Sequence, residues 1–336
     1  MDLVPGPAEV AGGVWSVALP FPNPLGFAFS YVVPVAGGVV VVDAGWDSDT
    51  CWEAFLAGLA SAGAGLDDLV GVVITHVHPD HYGLAERIRA TTAAWIAVHP
   101  AERPRIAAGE HDRERAITDM AEWLRQAGAP ASEFAELESD AADMKARISM
   151  VVPEHDLLDG DAVPGTDGSL IAVHTPGHTP GHLCFHDQQR RLLFTGDHIL
   201  PRVTPNVSKR PQSDVDPLRD FLASLRKVGG YGDVAVLPGH EWTFHGLDDR
   251  LDYLLAHHEE RLTEIEAAVG AGAGTVWEVV RAVTWSRPFE RLRGRARRSA
   301  IGETFSHLYR LAAAQRVQWV PGCPDRWLPA TTPPAL

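Results

Sequence analysis

The chain has little cysteine: three residues in 336, at Cys51, Cys184 and Cys323. Their number is odd, their positions are scattered, and no pair has CxxC spacing. A disulfide framework is therefore excluded, a cytoplasmic, reducing location is expected, and a metal site must use nitrogen and oxygen ligands. Long apolar runs are also missing. No stretch of 18 or more apolar residues occurs, so no membrane-spanning helix is expected. The first residues, Met1 to Pro7, lack a basic segment followed by an apolar one, so no secretory signal is expected. Neither a short-period repeat nor a low-complexity tract is present. Positive charge is scarce, with 29 Lys and Arg against 44 Asp and Glu and a net charge of −15. An acidic body of this kind repels nucleic acid. The exception is Arg281 to Arg316, where nine Arg face only Glu290 and Glu303. That segment reads either as a solvated helical face or as a surface that attracts an anion.

Against these absences, one stretch is dense in chemistry. Val70 to Ile74 is an apolar run that predicts a buried strand. It leads into His76, His78, Asp80 and His81, with Pro79 where a first helical turn would begin and Leu84 and Ile88 spaced for an amphipathic helix. Three imidazoles and a carboxylate on one strand-to-helix turn are costly to desolvate side by side. A bound metal removes that cost, since neutral imidazole and carboxylate are good ligands for zinc and similar ions.

Read in order, residues 1 to 12 look like a loose arm. Val14 to Leu19, Ala28 to Pro34 and Gly38 to Asp43 predict antiparallel strands. Between the first two lies a stiff loop, Pro20 to Phe27, whose Phe21 and Phe27 either cap the sheet or wall an apolar substrate. A helix is predicted over Asp49 to Ala62 and a strand over Ala94 to Val98. Residues 100 to 150 predict two or three inserted helices, as a lid over a site or as packing helices. Strands resume at Leu170 to Val173, Leu183 to Phe185, Arg191 to Phe194 and Val234 to Leu237, with a helix at Asp216 to Lys227. The strand ends repeatedly deliver a His or Asp beside a Gly: His178 in Thr175 to His182, Asp197 after Gly196, and His240 after Gly239. From Leu247 the pattern is helical, over Leu247 to Val269, Thr275 to Val283 and Ala296 to Ala314. A strand-like piece, Val317 to Val320, and a Pro-rich tail from Pro329 expected to be disordered follow.

The candidate ligands are His76, His78, Asp80, His81, His178, Asp197 and His240. Seven exceed one tetrahedral ion and suit two ions sharing a bridge. The order HxHxDH, PGH, GD, PGH resembles the metallo-β-lactamase superfamily, and most closely its hydrolase branch around glyoxalase II and related thioesterases. That resemblance implies an α/β fold, an αββα sandwich with the site at one edge of its two sheets. It implies that His76, His78 and His178 hold one divalent ion, that Asp80, His81 and His240 hold the other, and that Asp197 bridges them. It also implies a metal-bridging hydroxide as nucleophile and Asp80 as a proton shuttle. Zinc is expected, with iron or manganese as alternatives. The branch of true zinc β-lactamases, with Cys in place of the bridging Asp, does not fit Asp197.

The stretch Asp197 to Ser208 departs from glyoxalase II. It looks like a subgroup with a winged-helix-like C-terminal extension, which includes acyl-carrier-protein thioesterases and a mitochondrial endoribonuclease. A catalytic domain over 1–247 and a small, mainly helical domain over 248–336 are expected. The expected activity is hydrolysis of a thioester, ester or lactone, with an acyl substrate linked to coenzyme A or a carrier protein. The alternatives are a metal-dependent ribonuclease and a non-catalytic binding member. Phe21, Phe27, Arg202, Asn206, Trp242 and His245 are the candidate substrate contacts. His182 is expected as structural support, His198 as a pocket wall, and the other histidines as solvated or packed.

Overall fold

Val39 to Val42 is a run of four valines with no polar position to offer to water, so a strand built from it needs cover on both faces. A computed structural model supplies that cover; it describes residues 4–22, 25–107, 113–138, 151–209 and 216–330. The chain forms two compact units. The first comprises Met1–Gly109, Arg147–Pro205 and Ser224–Leu251, and the second comprises Glu110–Ala146, Asn206–Ala223 and Asp252–Leu336.

The first unit holds two sheets. One runs in the order β1 (Ala8–Ala11), β2 (Val14–Pro20), β3 (Phe27–Val35), β4 (Gly38–Val42), β5 (Leu69–Val73), β6 (Trp95–Val98), β7 (His155–Asp156). Its first four strands are antiparallel, and β4 to β7 are parallel. The other sheet runs β11 (Ala235–Pro238), β10 (Leu192–Gly196), β9 (Leu183–Asp187), β8 (Leu170–His174). Alternation sorts the larger sheet's side chains into two cores. Val39, Val41, Val72, Ile74 and Ile96 pack with Phe55 and Leu59 of helix α1 (Asp49–Ser61). Val40, Val42, Val73 and Ala97 pack instead with Leu170, Phe185, Leu192 and Phe194 of the second sheet. Each fully buried aliphatic or aromatic side chain contributes about 1.5–3 kcal/mol, so the two cores fix the frame on which the strand ends stand.

After β5 the chain makes two short helices, α2 (Pro79–Tyr82) and α3 (Ala85–Thr91), where the spacing predicts one. Gly83 causes the break. Its N–H donates to the Gly45 carbonyl at 2.7 Å, and a Cβ there would meet Asp47 N and Pro79 O at 2.5 Å. The loose arm is also corrected: Ala8 to Ala11 pairs with β2. Of the predicted insertion, α4 (Arg103–Ala107) belongs to the first unit and α5 (Arg113–Ala127) to the second. Residues 108–112 and 139–150 of the insertion, and 331–336 of the Pro-rich tail, lie outside the described residues.

Helix α6 (Pro217–Val228) straddles the division of the units, and its last turn serves the first: Ser224 Oγ donates to the Pro176 carbonyl, and Lys227 Nζ donates to Asp159 and the His174 carbonyl. Helix α7 (Leu247–Gly270) likewise contributes to both. The second unit is otherwise α5, α8 (Val276–Ala282), α9 (Gly294–Ala313) and a hairpin of β12 (Val317–Val320) with β13 (Arg326–Pro329). The fold is thus an αββα-type sandwich with a C-terminal helical region. Trp123, Leu124 and Ala127 of α5 are buried, with the Trp123 ring 5.4 Å from Phe305 of α9. Helix α5 therefore packs within the second unit. Thr275 caps α8 through a reciprocal pair with Glu278.

Gly83→Ala is expected to cost about 1–3 kcal/mol through overpacking, seen as a lowered midpoint in thermal or urea denaturation. An unchanged midpoint would mean that the backbone at 45–47 yields freely.

Candidate metal centre

The seven candidate ligands all stand at strand ends along one edge of the first unit. His76 and His78 follow β5, and His78 caps α2 with Pro79 at its first position, which places Asp80 and His81 on that single turn. His178 lies in the loop from β8 to β9, Asp197 follows β10, and Gly239-His240 follows β11. Every one of the seven is buried, none more than 9% exposed.

They form two groups. His76, His78, His178 and Asp197 make the first, and Asp80, His81 and His240 the second; within each, one ligand atom per residue lies within 4.8 Å of the others. In the first group His78 Nδ1 lies 2.7 Å from His76 Nε2 and 3.0 Å from His178 Nε2. Asp197 faces both groups. Its Oδ2 lies 3.6 Å from His178 Nε2 and 4.0 Å from His76 Nε2, while its Oδ1 lies 3.3 Å from His240 Nε2 and 3.5 Å from His81 Nε2. Asp80 Oδ2 lies 3.5 Å from His240 Nε2. His81 Nε2 and Asp197 Oδ1 are buried with no hydrogen-bond partner. Orphaned buried atoms of this kind are costly; both face the second group, and a divalent ion bound there would satisfy them. The donor set, nitrogen and carboxylate oxygen without sulfur, suits zinc, iron or manganese.

The imidazoles are oriented from behind. His240 Nδ1 lies 2.9 Å from the Phe27 carbonyl, which can only accept, so Nδ1 carries the proton and Nε2 faces the site. His81 Nδ1 donates to Asp43 Oδ2 at 2.7 Å with the same result. Thr75 supports the third. Its hydroxyl donates its single proton to Asp43 at 2.8 Å and so accepts from His76 Nδ1 at 3.0 Å, leaving His76 Nε2 free. Asp43 also accepts from Thr75 N at 2.7 Å and takes a left-handed backbone, φ 63°, tolerated best by Asp and Asn among side-chain-bearing residues. Its main chain is held by Val73 O and Ser30 Oγ.

Charge separates the groups. Burial, reinforced by His81 and His178, pushes the His76 imidazole well below its ordinary pKa. Burial also works against a charged His240, but Asp197 and Asp80 outweigh it and raise its pKa to about 10. At His81 burial is likewise outweighed, by Asp43 and then Asp197, and its pKa lies well above that of a free imidazole. For Asp197, burial favours the protonated acid, yet His240 and His81 hold its pKa well below the usual carboxylate range.

The sequence matches the metallo-beta-lactamase superfamily over residues 23–240. The chain belongs to that superfamily. Human acyl-coenzyme A thioesterase MBLAC2 is 31% identical over 175 residues, 51% of this chain and 56% of that protein. An atrochrysone carboxyl ACP thioesterase of Aspergillus fumigatus is 28% identical over 51% of this chain and 41% of its own length. The chain thus spans about half the length of these curated relatives. Among solved structures, a metallo-beta-lactamase family protein from Thermus thermophilus has a TM-score of 0.78 and 27% identity, covering 94% of this chain and 98% of that one.

Within this superfamily fold, the candidate substrate contacts scatter. Phe21 is buried against the His240 ring, 5.6 Å between centroids, and stacks on Trp46 at 6.0 Å. Phe27 is half-buried and packs edge-on against Phe29. Arg202 is exposed, lies 5.7 Å above the Trp242 ring, and donates to Glu241. Trp242 and His245 are exposed. Asn206 belongs to the second unit, where it bonds Ser299 and Ser208. His182 is buried with Nδ1 2.9 Å from Thr175 Oγ1, in keeping with a supporting role. His258 and His307 are packed, 3.2 Å apart, in the second unit. Sequence reasoning missed Asp43 and Thr75 as supports; their one signal was position, at the end of β4 and one residue before His76. It also missed Trp46.

Asp43→Asn would put an amide where His81 needs an acceptor. It is expected to weaken metal affinity about 10–100-fold, read by competition with a chromophoric chelator. Affinity within twofold of wild type would remove Asp43 from the site's support.

Proposed function

We propose that this chain is a binuclear metal-dependent hydrolase of acyl thioesters. The observation that carries it is the division of Asp197, one carboxylate oxygen toward each ligand group. In this reading His76, His78 and His178 hold one ion, Asp80, His81 and His240 the other, and Asp197 lies between them. When bound, such a pair supplies Lewis acidity and a water acidic enough to act as a nucleophile near neutral pH.

The protein's own side chains supply the rest. Asp80, whose Oδ2 faces His240, is positioned to accept a proton from the attacking water and return it to the departing sulfur, so that the acyl–sulfur bond is exchanged for an acyl–oxygen bond and a free thiol leaves. Phe21 and Trp46 place apolar surface beside His240, which suits an acyl chain. Arg202 over Trp242, two residues beyond His240, suits an anionic or planar group on the thiol side. The names of the thioesterase relatives support a thioester over an ester or lactone. We further propose that catalysis resides in residues 1–247, with 248–336 as an appended domain, and that the protein works in the cytoplasm. Cys51, Cys184 and Cys323 are free thiols, which supports a reducing compartment. No described helix is long and apolar enough to cross a membrane.

Release of free thiol from a panel of acyl-coenzyme A thioesters, with metal-loaded and chelator-stripped protein compared, tests the reading. Turnover is expected only with metal, and Asp80→Asn is expected to lower kcat by about 10²–10⁴. Metal-loaded protein that releases no thiol from any chain length would sink the thioesterase assignment and turn attention to esters and lactones.

A further inference from the structure

We infer that Glu102 is a positioning residue that locks the two histidine-bearing loops of the first ligand group together. Glu102 lies in the single turn that follows β6 and is fully buried. Its two carboxylate oxygens are used separately. Oε2 accepts from Val77 N at 3.1 Å, between His76 and His78, and Oε1 accepts from Gly181 N at 2.8 Å, in the loop that carries His178. One side chain therefore ties two segments far apart in sequence, each adjacent to ligands that must meet at one point: His78 Nδ1 and His178 Nε2 are 3.0 Å apart.

The turn that carries Glu102 is itself braced. Its N–H donates to the His99 carbonyl at 3.0 Å, and His99 Nδ1 accepts from Ala101 N. The His99 ring lies face to face with His174 at the end of β8, 3.9 Å between centroids with 6° between planes. The same turn thus docks on β8 at its end and on the following loop at Gly181. Gly181 must be small for this to hold, because a Cβ there would meet Glu102 Cγ at 2.8 Å and Glu102 N at 2.9 Å.

The second group is built differently. Asp80 and His81 share one helical turn, and His240 is fixed by the Phe27 carbonyl and by the bond from Phe29 N to Gly239 O at 2.7 Å. Glu102 touches none of these. Its loss is therefore selective: it frees the 76–78 segment from the 178 loop and leaves the second group's supports in place.

This inference rests on the proposed metal site, so the test carries a readout that does not need metal. Glu102→Gln keeps the size but turns an amide N–H₂ toward one of the two backbone donors. Zinc titration against a chromophoric chelator is expected to show one of the two ions bound at least tenfold more weakly, with the other within threefold of wild type. Gly181→Ala is expected to give the same pattern. In chelator-stripped protein, hydrogen exchange is expected to quicken at least tenfold in Glu102→Gln at whichever of the Val77 and Gly181 amides faces the new N–H₂. Two ions held as in wild type, or both weakened alike, would overturn the positioning role, as would unchanged exchange at both amides. A wild-type chain that binds no zinc would overturn the metal reading, while the exchange data would still decide whether Glu102 joins the two loops. Where Glu102→Gln fails to fold, Glu102→Asp, one methylene short of spanning both amides, is expected to give the same selective loss.

Discussion

Seven buried imidazole and carboxylate groups cannot share so small a volume without a source of positive charge. Asp197 and Asp80 are desolvated by the strand ends around them, and an unpaired carboxylate in such surroundings is far costlier than a buried methyl group is favourable. The geometry shows where the positive charge is wanted. Asp197 turns one oxygen to each histidine group, and its field and that of Asp80 raise the His240 pKa to about 10 despite burial. Protons can supply that charge on His81 and His240, and divalent ions can supply it to both groups at once. Metal binding must then displace protons, which couples the site to pH. The apolar sandwich behind it has one task in this respect: to hold the ends of β5, β8, β10 and β11 along one edge while they carry groups that would otherwise repel or seek water.

That task is met by backbone and neighbouring polar groups more than by the ligands themselves. His240 leans on a carbonyl of β3, and His81 and His76 lean on the pair Asp43 and Thr75. Asp43 is the junction. It accepts four contacts from Thr75 and His81 while held in a left-handed conformation that costs on the order of 1 kcal/mol. Close approach of backbone completes the arrangement: at Gly239 a side chain would meet His81 Cε1 at 2.7 Å and Asp197 Oδ1 at 2.8 Å. The glycine before His240 is thus demanded by the site itself.

This explains what the sequence could and could not disclose. The candidate ligands stand out in the sequence because they fall at short spacing, or beside Gly and Pro, directly after apolar runs that read as strands. The αββα sandwich came with the family resemblance that their order carries, and it suits Val39 to Val42 and Val70 to Ile74, which leave no polar face. The supports were illegible because each acts across a gap that no local pattern marks: Asp43 reaches His81 over 38 residues, and Glu102 reaches Gly181 over 79. Strands β1, β7 and β13 escaped for another reason. They are two to four residues long and exist by pairing with a neighbour rather than by their own periodicity. The helix predicted from Pro79 broke in two because Gly83 is pressed against Gly45, a tertiary contact that overrides helical spacing.

The Arg-rich segment shows the same limit from the opposite side. Composition sets nine guanidinium groups in a chain that is otherwise strongly acidic, which reads either as a solvated helical face or as a surface that attracts an anion. In the second unit several of those groups already have one. Arg297 is buried, pairs with Glu133 and lies 5.1 Å over the Phe289 ring; Arg316 bonds Glu259 and Glu266; Arg310 faces Asp216 and Arg281 faces Glu290. A buried guanidinium is retained only when paired, and removing its partner is costly, so Arg297 and Glu133 join α9 to the segment after α5 as part of the helical core. Four of the nine guanidinium groups, Arg281, Arg297, Arg310 and Arg316, thus face carboxylates of their own unit. In the first unit, by contrast, Asp197 and Asp80 face imidazoles among the described residues, which leaves that edge open to charge from outside the chain.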